Sequence, residues 1–148
     1  MGLAISIAAE PVIHIGTFAI TNSLLTTFCL VLAFIVFIII FRSKPLEDIP
    51  AGRSLQNILE MLAEMLFGFY SSIVGETKAR KYFAFLTTFF FFILFSNWSG
   101  LLPGVGSIGF KELKHGVEEF IPLFRAPTAD LNTTIALAIL GVGFVQFQ

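Results

Sequence analysis

The segment Tyr82–Pro103, YFAFLTTFFFFILFSNWSGLLP, decides which solvent this chain occupies. It carries no Asp, Glu, Lys or Arg over about twenty residues, roughly the length that crosses a ~30 Å hydrocarbon layer as a helix. Helical spacing turns Phe83, Phe85, Phe89, Phe90, Phe91, Phe92 and Phe95 to every side of the cylinder. A helix that is apolar all round belongs in lipid or at the centre of a large protein, and 148 residues do not supply the bulk for the second. Lys78, Arg80 and Lys81 precede the run, while Asn97, Trp98 and Ser99 stand near its far end. The span therefore has a direction: the cationic end faces the cytoplasm and Trp98 suits the opposite headgroup layer.

Composition agrees with a membrane solvent. Hydrophobic residues make up 56% of the chain and charged residues 13%, with a mean hydropathy of +0.89, whereas soluble domains carry roughly 25% charge. The net charge of -1 is uninformative about partners; there is no basic face for nucleic acid, so none is expected, and no acidic tail. Cys29 is the one cysteine, lies in an apolar run and forms no intramolecular disulfide. The first ten residues carry no Lys or Arg to start a cleavable leader, and Glu10-Pro11 interrupts the apolar opening. Insertion is expected to use internal spans.

A second uncharged run lies upstream at 21–41, TNSLLTTFCLVLAFIVFIIIF, and ends against Arg42 and Lys44 before Pro45, which stops a helix. Residues 42–81 hold six of the nine cations, namely Arg42, Lys44, Arg53, Lys78, Arg80 and Lys81, and the lead at 1–20 holds none. That asymmetry makes 42–81 a cytoplasmic loop and puts the N-terminus outside. Within the loop, 54–74 has helical period. Leu55, Ile58, Leu59, Leu62, Met65, Leu66, Phe69 and Ile73 form one stripe, with Asn57, Glu60, Glu64 and Ser71 opposite. Ser54 is the candidate N-cap, and such a helix lies in the bilayer interface or packs on its neighbours.

Beyond the Phe-rich span, Pro103-Gly104-Val105-Gly106 makes a turn into an outer loop at 104–129. His115 with Glu118 and Glu119 lacks a second His or Cys at ligand spacing, so no metal site follows. The PGVGSIG run lacks the Gly-Lys-Ser/Thr ending of a phosphate loop. No nucleophile, base and orienting group recur at catalytic spacing, which argues against an enzyme. Thr128 or Asp130 is placed to cap a further helix, where an acid suits the dipole. From Leu131 about eighteen residues remain, short of the ~20 needed to cross, so this third span is expected to be incomplete. The fold class is an all-α integral membrane protein. It has two complete transmembrane helices at 21–41 and 82–103, an amphipathic helix between them and the start of a third span at 130–148.

Three ordered stretches carry a family resemblance: ISIAAEPVIHIGTFAITNSLLTT, KARKYFAFLTTFFFFILFSNWSGLLPGVGSIGF and FRAPTADLNTTIALAI. Together they cover most of the chain, which resembles the N-terminal part of subunit a of bacterial F-type ATP synthases. The resemblance implies a multi-pass stator subunit in the cell inner (plasma) membrane, beside the c-subunit ring and the subunit b stator. Two offset aqueous half-channels would carry protons or Na⁺ to and from the ring, and no cofactor is implied. Asn97 matches the asparagine before the Leu-Leu-Pro end of the second span, and Asp130 and Asn132 match an Asp-x-Asn at the head of the third. These three are also the polar groups nearest the outer ends of their spans, where burial is costly unless they meet water or each other. Two roles stand open for them: lining the outer half-channel, or capping and joining helices. Some family members carry an acid where this chain has Gly100.

The resemblance also implies an arginine in a later membrane helix, within a Leu-Arg-Leu-Phe-Gly-Asn type run. No such run occurs here, and Arg125, two residues before a loop proline, does not match it. The sequence is therefore expected to be a fragment that moves no protons by itself. Two rivals remain: half of a secondary transporter in which Asn97 and Asp130 coordinate a solute, and a membrane-anchored interaction protein that recruits through helix 54–74. Internal repeats, the mark of many transporters, are not evident.

Overall fold

The computed structural model describes residues 9–43, 45, 54–114 and 117–147. Lys44 and Arg53 of the expected cytoplasmic cluster lie outside the described residues, as do His115 and the side chains of Glu118 and Glu119. The chain divides into two compact units, one from Met1–Phe34 with Ile93–Gln148 and the other from Ile35–Phe92.

Four helices dominate the described residues. Helix α1 covers Asn22–Arg42, α2 Leu55–Val74, α3 Glu76–Ser99 and α4 Leu131–Gln146. By length and composition α1, α2 and α3 each suffice to cross a membrane. The sequence counts the first and third as complete spans and places 54–74 in the bilayer interface or against neighbouring helices. Burial is inverted relative to a water-soluble protein. Among the described residues the buried apolar side chains are Leu66, Ala79 and Ile121, while Asn22, Ser23, Thr26, Ser96, Ser99 and Asp130 are also buried. Exposed side chains include Ile38, Ile39 and Ile40 of α1 and Ile139, Leu140 and Val145 of α4. In water such a surface would aggregate; against acyl chains it costs nothing. The molecule is a multi-pass membrane protein.

In the Ile35–Phe92 unit, Ser54 caps α2 by accepting a hydrogen bond from the Asn57 amide at 3.1 Å. Gly75, at φ +83°, separates α2 from α3 by a single residue, a conformation that suits a residue without Cβ. The two helices meet through aromatic rings: Phe83 lies 5.7 Å from Phe67 and 6.1 Å from Tyr70, and the Arg80 guanidinium sits 5.4 Å above Phe67. Along the apolar stripe read from the sequence, burial is uneven. Leu66 is buried, whereas Ile58, Met65, Phe69 and Ile73 stay open along an adjoining face. The Arg80–Glu76 ion pair is solvent-exposed at helical spacing and contributes little.

The other unit adds two antiparallel hairpins within the segments read as lead and loop. Strands β1 (Pro11–Ile15) and β2 (Phe18–Thr21) turn at Gly16, φ +63°, as two-residue hairpin loops favour. Strands β3 (Gly109–Lys114) and β4 (Val117–Pro122) pair with Phe110 opposite Ile121. A 3₁₀ turn at Pro127–Ala129 then leads into α4. Hairpins close short local loops, so they satisfy backbone polar groups where the chain leaves a helix and must return.

Candidate functional site

The polar candidates gather at the N-terminal end of α1, the C-terminal end of α3 and the start of α4, all in one unit. Phe34 and Phe95 meet edge to face at 5.3 Å, which sets α1 beside α3 there. The run Pro122–Asp130 passes across this end of the helices. Its backbone leaves the sheet at Pro122 and must be held by side chains until α4 begins.

Three α1 residues hold it. Asn22, Ser23 and Thr26 fall on one helix face, at i, i+1 and i+4. The Asn22 amide nitrogen donates to the Pro122 carbonyl at 3.2 Å, and its Oδ1 accepts from the Glu10 and Ser23 amides at 3.2 and 2.9 Å. Thr26 Oγ1 accepts from the Arg125 amide at 3.2 Å while donating to the Asn22 carbonyl at 2.9 Å. Ser23 Oγ donates to Asp130 Oδ2 at 3.1 Å. These partners are 99 to 107 positions apart in sequence.

Asp130 is 5% exposed and caps α4, its Oδ1 accepting from the Asn132 amide at 3.3 Å. Thr133 Oγ1 donates to Oδ2 at 3.3 Å. A carboxylate offers about four acceptor positions, and three are used, by one backbone donor and two hydroxyls. Such bonds to a charged acceptor are the stronger kind and offset part of the cost of burying it. Of the two caps suggested by the sequence, Asp130 takes the role; Thr128 instead donates to Asn97 Oδ1 at 3.0 Å.

The three sequence candidates therefore occupy one region in different states. Asp130 is buried, whereas Asn97 and Asn132 are exposed. Asn97 Nδ2 donates back to the Ile93 carbonyl at 2.8 Å, so its oxygen is left to receive Thr128. Asn132 meets Asp130 through its backbone rather than its side chain. Arg125 lies in the held segment, its guanidinium donating to the Ala129 carbonyl at 3.2 Å. The sequence does not single out Asn22, Ser23, Thr26 or Thr133, and it marks Thr128 only as a possible cap. A signal was present: between Asn22 and Phe41 the polar residues of α1 lie in its first turns, at one-turn spacing.

Comparison with known proteins gives two findings. The sequence model of the ATP synthase A chain family matches residues 23–148. The sodium-ion-specific ATP synthase subunit a of Propionigenium modestum is 35% identical over 123 residues, covering 83% of this chain and 40% of that protein. The chain thus spans less than half the length of this relative.

Proposed function

The chain belongs to the ATP synthase A chain family, and from that premise we propose that it is a non-catalytic, ion-translocating stator subunit of a rotary ATP synthase. Its partners are the c-subunit ring, subunit b and the remainder of the complex. The ion is H⁺ or Na⁺, the latter suggested by the relative's sodium specificity. Lys and Arg crowding between 42 and 81 supports a cytoplasmic loop and an outer N-terminus, with α2 at the cytoplasmic interface.

The observation that carries the reading is the buried Asp130 carboxylate, held by hydroxyls among helices whose outer surfaces are apolar. Isolated charges avoid such places unless the function needs them. Asn97 and Asn132, exposed beside it, supply amide groups that exchange hydrogen bonds with water or a passing cation. The three would form the wall of the outer half-channel, with Asp130 providing negative potential that draws cations in. An ion falling through 100 mV releases ~2.3 kcal/mol per charge, so several must pass for each ATP made. The family's ring-facing arginine has no counterpart among these 148 residues.

The test is ion-driven ATP synthesis in vesicles carrying the assembled complex with Asp130→Asn in this subunit. A lower rate at equal complex content supports the half-channel role; an unchanged rate removes it. Repeating the measurement with and without Na⁺ at fixed proton gradient identifies the ion.

A further inference from the structure

We infer that Ser23 is the positioning residue of the Asp130 carboxylate, polarised by Thr21, so that the first turn of α1 fixes an acid at the head of α4. The functional arm of this inference rests on the half-channel reading above; the geometric arm does not. Ser23 is 1% exposed and its hydroxyl lies 3.1 Å from Asp130 Oδ2. The same oxygen is 3.2 Å from Thr21 Oγ1. A serine hydroxyl has one proton to give. With that proton on the carboxylate, the hydrogen bond to Thr21 must run the other way, from the Thr21 hydroxyl to Ser23 Oγ. Thr21 Oγ1 in turn accepts from the Leu24 amide at 3.3 Å. The donors therefore point in one direction along the series Leu24 N–H, Thr21 O–H, Ser23 O–H, ending at Asp130.

That direction has an electrostatic cause. The amides of a helix's first turn lack intrahelical acceptors and carry partial positive charge. Leu24 lies in the first turn of α1, and two hydroxyls relay its polarity to a buried anion, each bond strengthening the next. Thr133, from α4, binds the same carboxylate oxygen. Held from two helices, the carboxylate loses its freedom to rotate. A site that must present charge at one point requires this kind of support from neighbouring side chains.

The neighbouring contacts make Ser23 testable. Asn22 and Thr26 anchor the same end of α1 to Pro122 and Arg125, so removing the Ser23 hydroxyl leaves the helix docked. The experiment compares Ser23→Ala, Ser23→Thr, Asp130→Asn and the Ser23→Ala/Asp130→Asn double variant in the assembled complex. Two quantities are read. Aspartate-isotope-edited infrared spectra, with Asp130→Asn as the subtraction, report the Asp130 carboxylate band; vesicle assays report ion flux.

Ser23→Ala is expected to shift the band and to lower flux by at least about tenfold, the scale of one lost hydrogen bond to a charged group. Ser23→Thr should restore the band, and the double variant should be no slower than Asp130→Asn alone, because the hydroxyl acts only through the carboxylate. An unmoved band in Ser23→Ala overturns the inference, as does a double variant in which the two losses multiply. A shifted band with unchanged flux in both single variants upholds the positioning and instead overturns the half-channel reading.

Discussion

Gly100, just past the end of α3, packs against Ala126 so closely that a Cβ built on the glycine would stand 2.8 Å from the alanine Cβ. Neither atom belongs to a flexible side chain that can swing away. Absence of a side chain at position 100 is what lets α3 and the segment before α4 approach. An acid at this position, as the family resemblance allows, would need a different residue at 126.

Gly100→Ala should therefore destabilise the folded chain by about 1–3 kcal/mol, the range for forcing an atom into a packed contact. Ala126→Gly in the same chain should recover most of the loss. Thermal denaturation in detergent across the four combinations measures the coupling, and additive losses would contradict the contact.

Thr128 and Asn97 join the 3₁₀ turn to α3 through one hydroxyl at 3.0 Å. Thr128→Val keeps the shape and removes the donor, at a cost of about 1 kcal/mol, while Thr128→Ser keeps the donor and should be near neutral. The same thermal measurement separates them. No loss in Thr128→Val, or a loss in Thr128→Ser as large as that in Thr128→Val, would contradict a stabilising role for the bond.

Asp130→Ala removes the acceptor for Ser23, Thr133 and the Asn132 amide together. Loss of an N-cap alone costs about 1 kcal/mol, and each unpaired buried donor adds a further share. Asp130→Asn retains an oxygen for part of this set, so it should unfold at a higher temperature than Asp130→Ala. The reverse order would show that a side-chain oxygen at this position does not tie the segment.

Ser96 is fully buried, and its hydroxyl has no hydrogen-bond partner among the described residues. Its carbonyl, by contrast, accepts from Ser99 Oγ at 2.7 Å. Ser96→Ala removes an unsatisfied polar atom and leaves that bond intact. It should be neutral or stabilising by up to about 1 kcal/mol, as a shift in the thermal midpoint reports.

The class of the protein was legible in the sequence because it depends on local quantities. Uncharged runs, their length and their flanking cations are read directly along the chain. Ser54 as a cap for α2, and Thr128 or Asp130 as the cap for α4, follow from short-range chemistry as well. Resemblance across most of the chain pointed to the family, and the match over residues 23–148 shows it.

Tertiary structure decided which polar groups share a buried place. Nothing in the period of α1 says that Asn22, Ser23 and Thr26 will meet Pro122, Asp130 and Arg125, about a hundred residues away. Hydrogen-bond partners at that range are selected by chain topology, whereas periodicity reports only that one end of the helix is polar. The apolar stripe of α2 makes the same point. Sequence defines its width, but only the tertiary structure decides that Leu66 is buried while Ile58, Met65, Phe69 and Ile73 stay open. Asn97, Asp130 and Asn132 were recognisable as polar residues near span ends; that only Asp130 is buried is a consequence of the helices that surround it.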